Sequence, residues 1–111
     1  MEDRCFLTIT HINDYAGTET FRPGMKLKLK KDHDNPYDDE AIAVSMNRES
    51  RCGWAANCTY TVCRGTRSAG YLQHLFEEEA ACTVLFVAGE FAIAELDVSR
   101  KTSAVVMYRQ S

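Results

Sequence analysis

The stretch Asn35-Pro36-Tyr37-Asp38 puts four chemically distinct side chains in a row. A carboxylate accepts hydrogen bonds and donates none, while a carboxamide does both. A phenol ring stacks on any flat π system, a nucleobase included. Proline fixes its own φ and holds the residue before it in extended backbone. Five acids, Asp32, Asp34, Asp38, Asp39 and Glu40, crowd this stretch before it runs into the apolar Ala41-Ile42-Ala43-Val44. A plain turn needs one or two such residues. The set suits a ligand with a flat ring and a hydroxyl donor. Asp38 can equally close an Asx turn onto a nearby amide, and the Tyr37 ring can fold over the end of a barrel.

Cations form the second candidate set. Lys26, Lys28 and Lys30 share one face of an alternating segment, and Lys31 extends the row. Such a face contacts phosphates or protects a sheet edge. Arg64 and Arg67 flank Gly65, which lets backbone approach a ligand closely.

Other chemistries find less support. Asp32-His33-Asp34-Asn35 has the acidic alternation of a calcium loop but lacks the glycine at its sixth position and the closing glutamate. Cys52, Cys58, Cys63 and Cys82 do not show the paired spacing of zinc modules, and Cys52 and Cys82 fall in strand patterns as small core residues. No metal or other cofactor is expected. His11, His33 and His74 are scattered, and none stands beside an obvious nucleophile. Gly65 to Gly70 lacks the Gly-Lys-Ser/Thr ending of a phosphate loop. The expectation is a non-catalytic chain.

The elements that would position these residues are short. Alternation and β-branched content predict strands over 5–12, 25–31, 41–46, 51–56, 82–89 and 90–98, with one more possible over 103–109. Residues 47–50 make a polar hairpin link. Ser68 can cap a helix over 68–80 with Leu72, Leu75 and Phe76 on one face. This is a mainly β chain, a small closed or partly open barrel of about six strands with one or two helices.

Bulk properties agree with one domain over residues 1–111. The composition, 45% hydrophobic and 26% charged, is ordinary for a globular chain. A net charge of −3 argues against strong nonspecific nucleic-acid binding, though not against a local basic face. No apolar run reaches the roughly 20 residues of a membrane span. The start shows no signal-peptide pattern, so the cytoplasm is the expected compartment and the five cysteines are expected as thiols.

The run Asp34-Asn-Pro-Tyr-Asp-Asp-Glu-Ala-Ile-Ala-Val44, followed by a polar hairpin and Cys52-Gly53-Trp54, resembles the signature of the HIRAN domain family. Phe6 to Gly17 is similar to the family's opening strand and its Tyr-x-Gly turn. The resemblance covers about residues 4–97, with an elaborated loop over 57–70 seen in free-standing bacterial members. It implies an OB-like barrel of the type found in Swi/Snf-type translocases that remodel stalled replication forks, where it captures the 3′ end of single-stranded DNA. By resemblance, Tyr37 stacks on the terminal base, Asp38 hydrogen-bonds the 3′-hydroxyl and Asn35 helps hold the nucleotide. Tyr15 is retained from the first turn, and Trp54 occupies the aromatic position. Lys26, Lys28, Arg64 and Arg67 would contact phosphates, and a helicase or nuclease is a conceivable protein partner. DNA-binding members carry an Arg-Tyr pair where this chain has Asn13 and Asp14, and lysines where it has Ala55, Ala56 and Asn57. That loss of charge leaves an alternative, a regulatory module binding protein or a small ligand in the same groove.

Overall fold

The computed structural model describes residues 4–15, 17–46 and 50–97. Six strands make a closed antiparallel barrel: β1 (Phe6–Thr10), β2 (Lys26–Lys31), β3 (Ile42–Ser45), β4 (Arg51–Ala55), β5 (Glu79–Ala88) and β6 (Phe91–Leu96). Their order around the barrel is β1-β4-β3-β2-β5-β6. One short helix, α1 (Ala69–Leu72), lies between β4 and β5. The expected mainly β barrel is the fold observed.

Period-two patterning builds the interior. Leu7 and Ile9 of β1, Leu27 and Leu29 of β2, and Ile42 and Val44 of β3 all point inward and are buried. Small residues, Ala92 and Ala94 of β6 with Cys52 and Cys82, fill the space between these branched chains. Cys52 and Cys82 are thus core residues, as their strand positions suggest. Burial raises the Cys52 thiol from the usual 9.0 to about 11, and it pushes Cys82 up further.

Gly53 is required where β4 crosses β1. A Cβ there would lie 2.8 Å from both Ile9 Cγ2 and the Thr10 carbonyl oxygen. The glycine of the Gly-aromatic pair therefore serves strand packing, and it sets Trp54 opposite Thr10.

Several boundaries differ from expectation. The first strand stops at Thr10 instead of reaching residue 12, because His11 takes a left-handed φ of 62° and starts a 3-10 turn over Ile12–Asp14. That turn folds Ile12 back into the core. The helix expected over 68–80 is a single turn. Ser68 does cap it, its Oγ accepting the Tyr71 N–H at 3.2 Å. Gln73 then ends it through tertiary contacts: its Nε2 donates to the Glu40 carbonyl and its own carbonyl accepts from Lys31 Nζ, both at 2.9 Å. Leu75 is exposed, and strand β5 starts at Glu79, three residues before its expected start. Lys31 does not extend the lysine row. It sits on the other face of β2, over the Phe76 ring. The hairpin between β3 and β4 is closed by the Met46 N–H donating to the Ser50 carbonyl at 2.9 Å, while most of its link lies outside the described residues. The strand considered over 103–109 also lies outside them.

Candidate functional site

A groove of about 690 Å³ opens on one side of the barrel. Its walls come from three places: the end of β1 with the 3-10 turn, the Asn35–Asp38 turn between β2 and β3, and the end of β4 running into the loop after it.

The Asn35–Asp38 turn is built by its own side chains. Asn35 Oδ1 accepts the N–H groups of Tyr37 (2.9 Å) and Asp38 (3.0 Å), an Asx turn that Pro36 stiffens. Tyr37 is left 94% exposed, so its ring does not fold over the barrel end. Asp38 Oδ1 accepts the Glu40 N–H at 2.9 Å, closing a second Asx turn. Asn57 Nδ2 approaches both Asp38 oxygens at 3.3 and 3.1 Å and Glu40 Oε1 at 3.1 Å. Asn57 Oδ1 in turn accepts the Gly70 N–H at 2.8 Å. A Cβ on Gly70 would lie 2.6 Å from Glu40 Oε1, so a larger residue there would push the Glu40 side chain aside. The carboxylate of Asp38 is thus oriented by an amide on either side.

The opposite wall is aromatic. Trp54 Nε1 donates to the Tyr15 hydroxyl at 2.9 Å, and the Arg51 guanidinium lies 4.6 Å from the centre of the Trp54 ring. His11 Nδ1 lies 3.2 Å from Asp14 Oδ2, and both residues line the groove.

Four of the sequence-predicted residues, Asn35, Tyr37, Asp38 and Trp54, thus meet in one groove, and Tyr15 joins them through Trp54. The four cations do not line it. Lys26 Nζ bonds Thr83 and Asp97 at 2.9 Å each, and Lys28 lies 3.8 Å from Glu79, both on the outer face where β2 meets β5. Arg67 stacks 4.8 Å from the Tyr71 ring centre, and Arg64 lines a separate apolar groove. No lysine or arginine lines the first groove, whereas Asp14 and Asp38 do. Sequence reasoning missed Asn57 and His11. Asn57 looks like an ordinary loop residue until the fold brings it under Asp38, and nothing in the sequence marks His11 for left-handed backbone.

Among the described residues no group of three or more His, Cys, Asp or Glu is placed to hold a metal ion, and no helix is long and apolar enough to cross a membrane.

A small OB-like antiparallel barrel with an aromatic groove at its side is the architecture of a binding domain. The chain belongs to the HIRAN domain family, whose model matches residues 4–73, more than half of its length. HIRAN is a nucleic-acid-binding domain, a binding rather than a catalytic one. The match spans β1 to α1 and the whole groove, while β5 and β6, which close the barrel, follow it. No curated protein and no solved structure matches the chain.

Proposed function

We propose that this chain binds the 3′-hydroxyl end of single-stranded DNA in the Tyr37–Trp54 groove and performs no reaction on it. The observation that carries this reading is the Asp38 carboxylate, oriented by Glu40 and Asn57 beside a fully presented aromatic ring. A carboxylate offers only acceptors, so it selects a donor such as a terminal hydroxyl and repels a terminal phosphate. Tyr37 supplies sequence-tolerant stacking on the last base. Trp54, oriented by Tyr15, forms the facing wall. Asn35 sets the turn through Oδ1, and its Nδ2 makes no hydrogen bond to another described residue, so it is available to the nucleotide. The reading calls for no metal or cofactor. Handing a bound end to a helicase or nuclease is a role consistent with it.

Phosphate contacts are poor in this groove, since no lysine or arginine lines it and Asp14 does. Binding therefore rests on stacking and on the hydroxyl, with a shallow salt dependence. The same observation favours a second reading, a protein or small ligand bearing hydrogen-bond donors or a positive charge. Trp54 is the sole tryptophan of the chain and lines the groove, so its fluorescence reports occupancy. Titration with a short oligonucleotide should change that signal, and Tyr37→Ala or Asp38→Asn should weaken binding at least fivefold, about 1 kcal/mol. Wild-type affinity in both variants removes the DNA-end reading and leaves the second.

A further inference from the structure

The loop of residues 57–67 lies across the outer face of β1 and divides it. Thr8 is beneath the loop, only 1% exposed, its Oγ1 accepting the Cys63 N–H at 3.1 Å and lying 2.8 Å from Thr66 Oγ1. On one side of the loop, Thr10 lines the first groove together with the loop residues Cys58 and Thr61. On the other, Phe6 lines a second groove of about 550 Å³ together with Cys63 to Thr66. Phe6, Thr8 and Thr10 alternate along one strand, so the grooves lie about 13 Å apart along β1.

The second groove differs in character from the first. It is lined by Phe6, Leu85, Phe86 and Phe91, by the buried Ile93, and by Arg64. Phe86 is 51% exposed although it lies on a strand. Arg64 is exposed, and its guanidinium makes no hydrogen bond or ion pair with another described residue. Arg67 is bonded through its backbone N–H to the Phe6 carbonyl at 2.7 Å, which fixes the end of the loop on β1, while its guanidinium stacks on Tyr71 outside this groove. Arg4 lies 5.1 Å from the Phe6 ring centre and is held there by Glu95. An exposed ring, Phe86, beside the half-buried Phe6 and Phe91 and an arginine supplies the chemistry that binds a single strand, rings for the bases and a cation for the backbone. Arg64 gives this groove a cation, which the lining of the first groove lacks.

We infer that this second groove holds the upstream nucleotides of the strand whose 3′ end occupies the first, the strand crossing the 57–67 loop between them. This rests on the reading of the first groove. The bases stack on Phe86 and Phe91, and Arg64 contacts a phosphate. At a duplex-like rise of about 3.4 Å per nucleotide, the roughly 13 Å between grooves takes about four nucleotides. A trinucleotide reaches one groove, and a decanucleotide reaches both.

The test compares oligothymidylates ending in 3′-hydroxyl, a trinucleotide and a decanucleotide, by fluorescence anisotropy at low salt. The decanucleotide is expected to bind at least about tenfold more tightly. Phe86→Ser with Arg64→Ala should abolish that gain and leave the trinucleotide unchanged, and Arg64→Ala alone should lower the log–log salt slope by about 0.7. A wild-type protein with no length gain, or a gain that survives the double substitution, overturns the inference. Tyr37→Ala separates the two readings, because it should weaken both lengths equally. If it weakens neither while the double variant still loses the gain, the end-binding groove is wrong and the second surface stands alone.

Discussion

Asn57 reaches back from the loop after β4 to hold Asp38, its Nδ2 lying 3.1 Å from Asp38 Oδ2. The same amide group also reaches Glu40. It therefore keeps two carboxylates close together and fixes the orientation of the one that lines the groove. Like charges so near each other repel unless a donor lies between them. Asn57→Ala should cost about 1–3 kcal/mol of stability, since the Gly70 N–H loses its acceptor and the two acids lose their shared donor. Urea denaturation measures the stability, and the same variant should bind single strands more weakly because Asp38 is no longer oriented.

Gly53 is a packing requirement of the barrel. Gly53→Ala places a methyl group 2.8 Å from Ile9 Cγ2 and from a backbone oxygen, and neither can move freely inside the β1–β4 pairing. A loss of about 1–3 kcal/mol is expected in thermal or urea unfolding.

The thiols divide by burial. Cys58 is exposed, whereas Cys5, Cys52 and Cys82 are buried with thiols raised by burial. A thiol reagent at mild alkaline pH should modify Cys58 first and the three buried residues only on unfolding. The raised values also fix the sign of a pH effect. The unfolded chain loses these thiol protons near pH 9 while the folded chain keeps them. Stability is therefore fully present below about pH 9, and the Cys52 contribution is lost as pH rises from 9.0 toward about 11. The slope is about 1.4 kcal/mol per pH unit for one such group, read by urea denaturation across that window.

The parts of the molecule governed by local rules could be read in advance. Alternation in Lys26–Lys31 and in Phe91–Leu96 marks strands because one face of each is buried. Asn35, Pro36 and Asp38 define a turn because each acts on its own neighbours. What escaped reading depends on distant contacts. The helical pattern through Leu75 and Phe76 yields to Gln73, which is tied to Glu40 and Lys31 from other elements. The lysines and arginines looked like one positive set, but β2 and the 57–67 loop carry them to different faces. Spacing along the chain cannot show which face a loop crosses. Asn57 entered the site only through folding.

Asp14 lines the groove where cations are lacking. Asp14→Lys reverses one charge beside the bound strand. It should tighten single-strand binding about tenfold at low salt and steepen the log–log salt slope by about 0.7, the contribution of one phosphate contact. An unchanged slope would mean that the strand does not pass Asp14.

The most direct test of the end-binding account is the preference for a terminal hydroxyl. Two short single strands of one sequence, one ending in 3′-hydroxyl and one in 3′-phosphate, are compared by fluorescence anisotropy at low salt. The account predicts that the hydroxyl end binds at least about tenfold more tightly, because a phosphate at Asp38 loses the hydrogen bond and meets a like charge. It also predicts that Asp38→Asn largely removes the difference. Equal affinity for the two ends in the wild-type protein would contradict it.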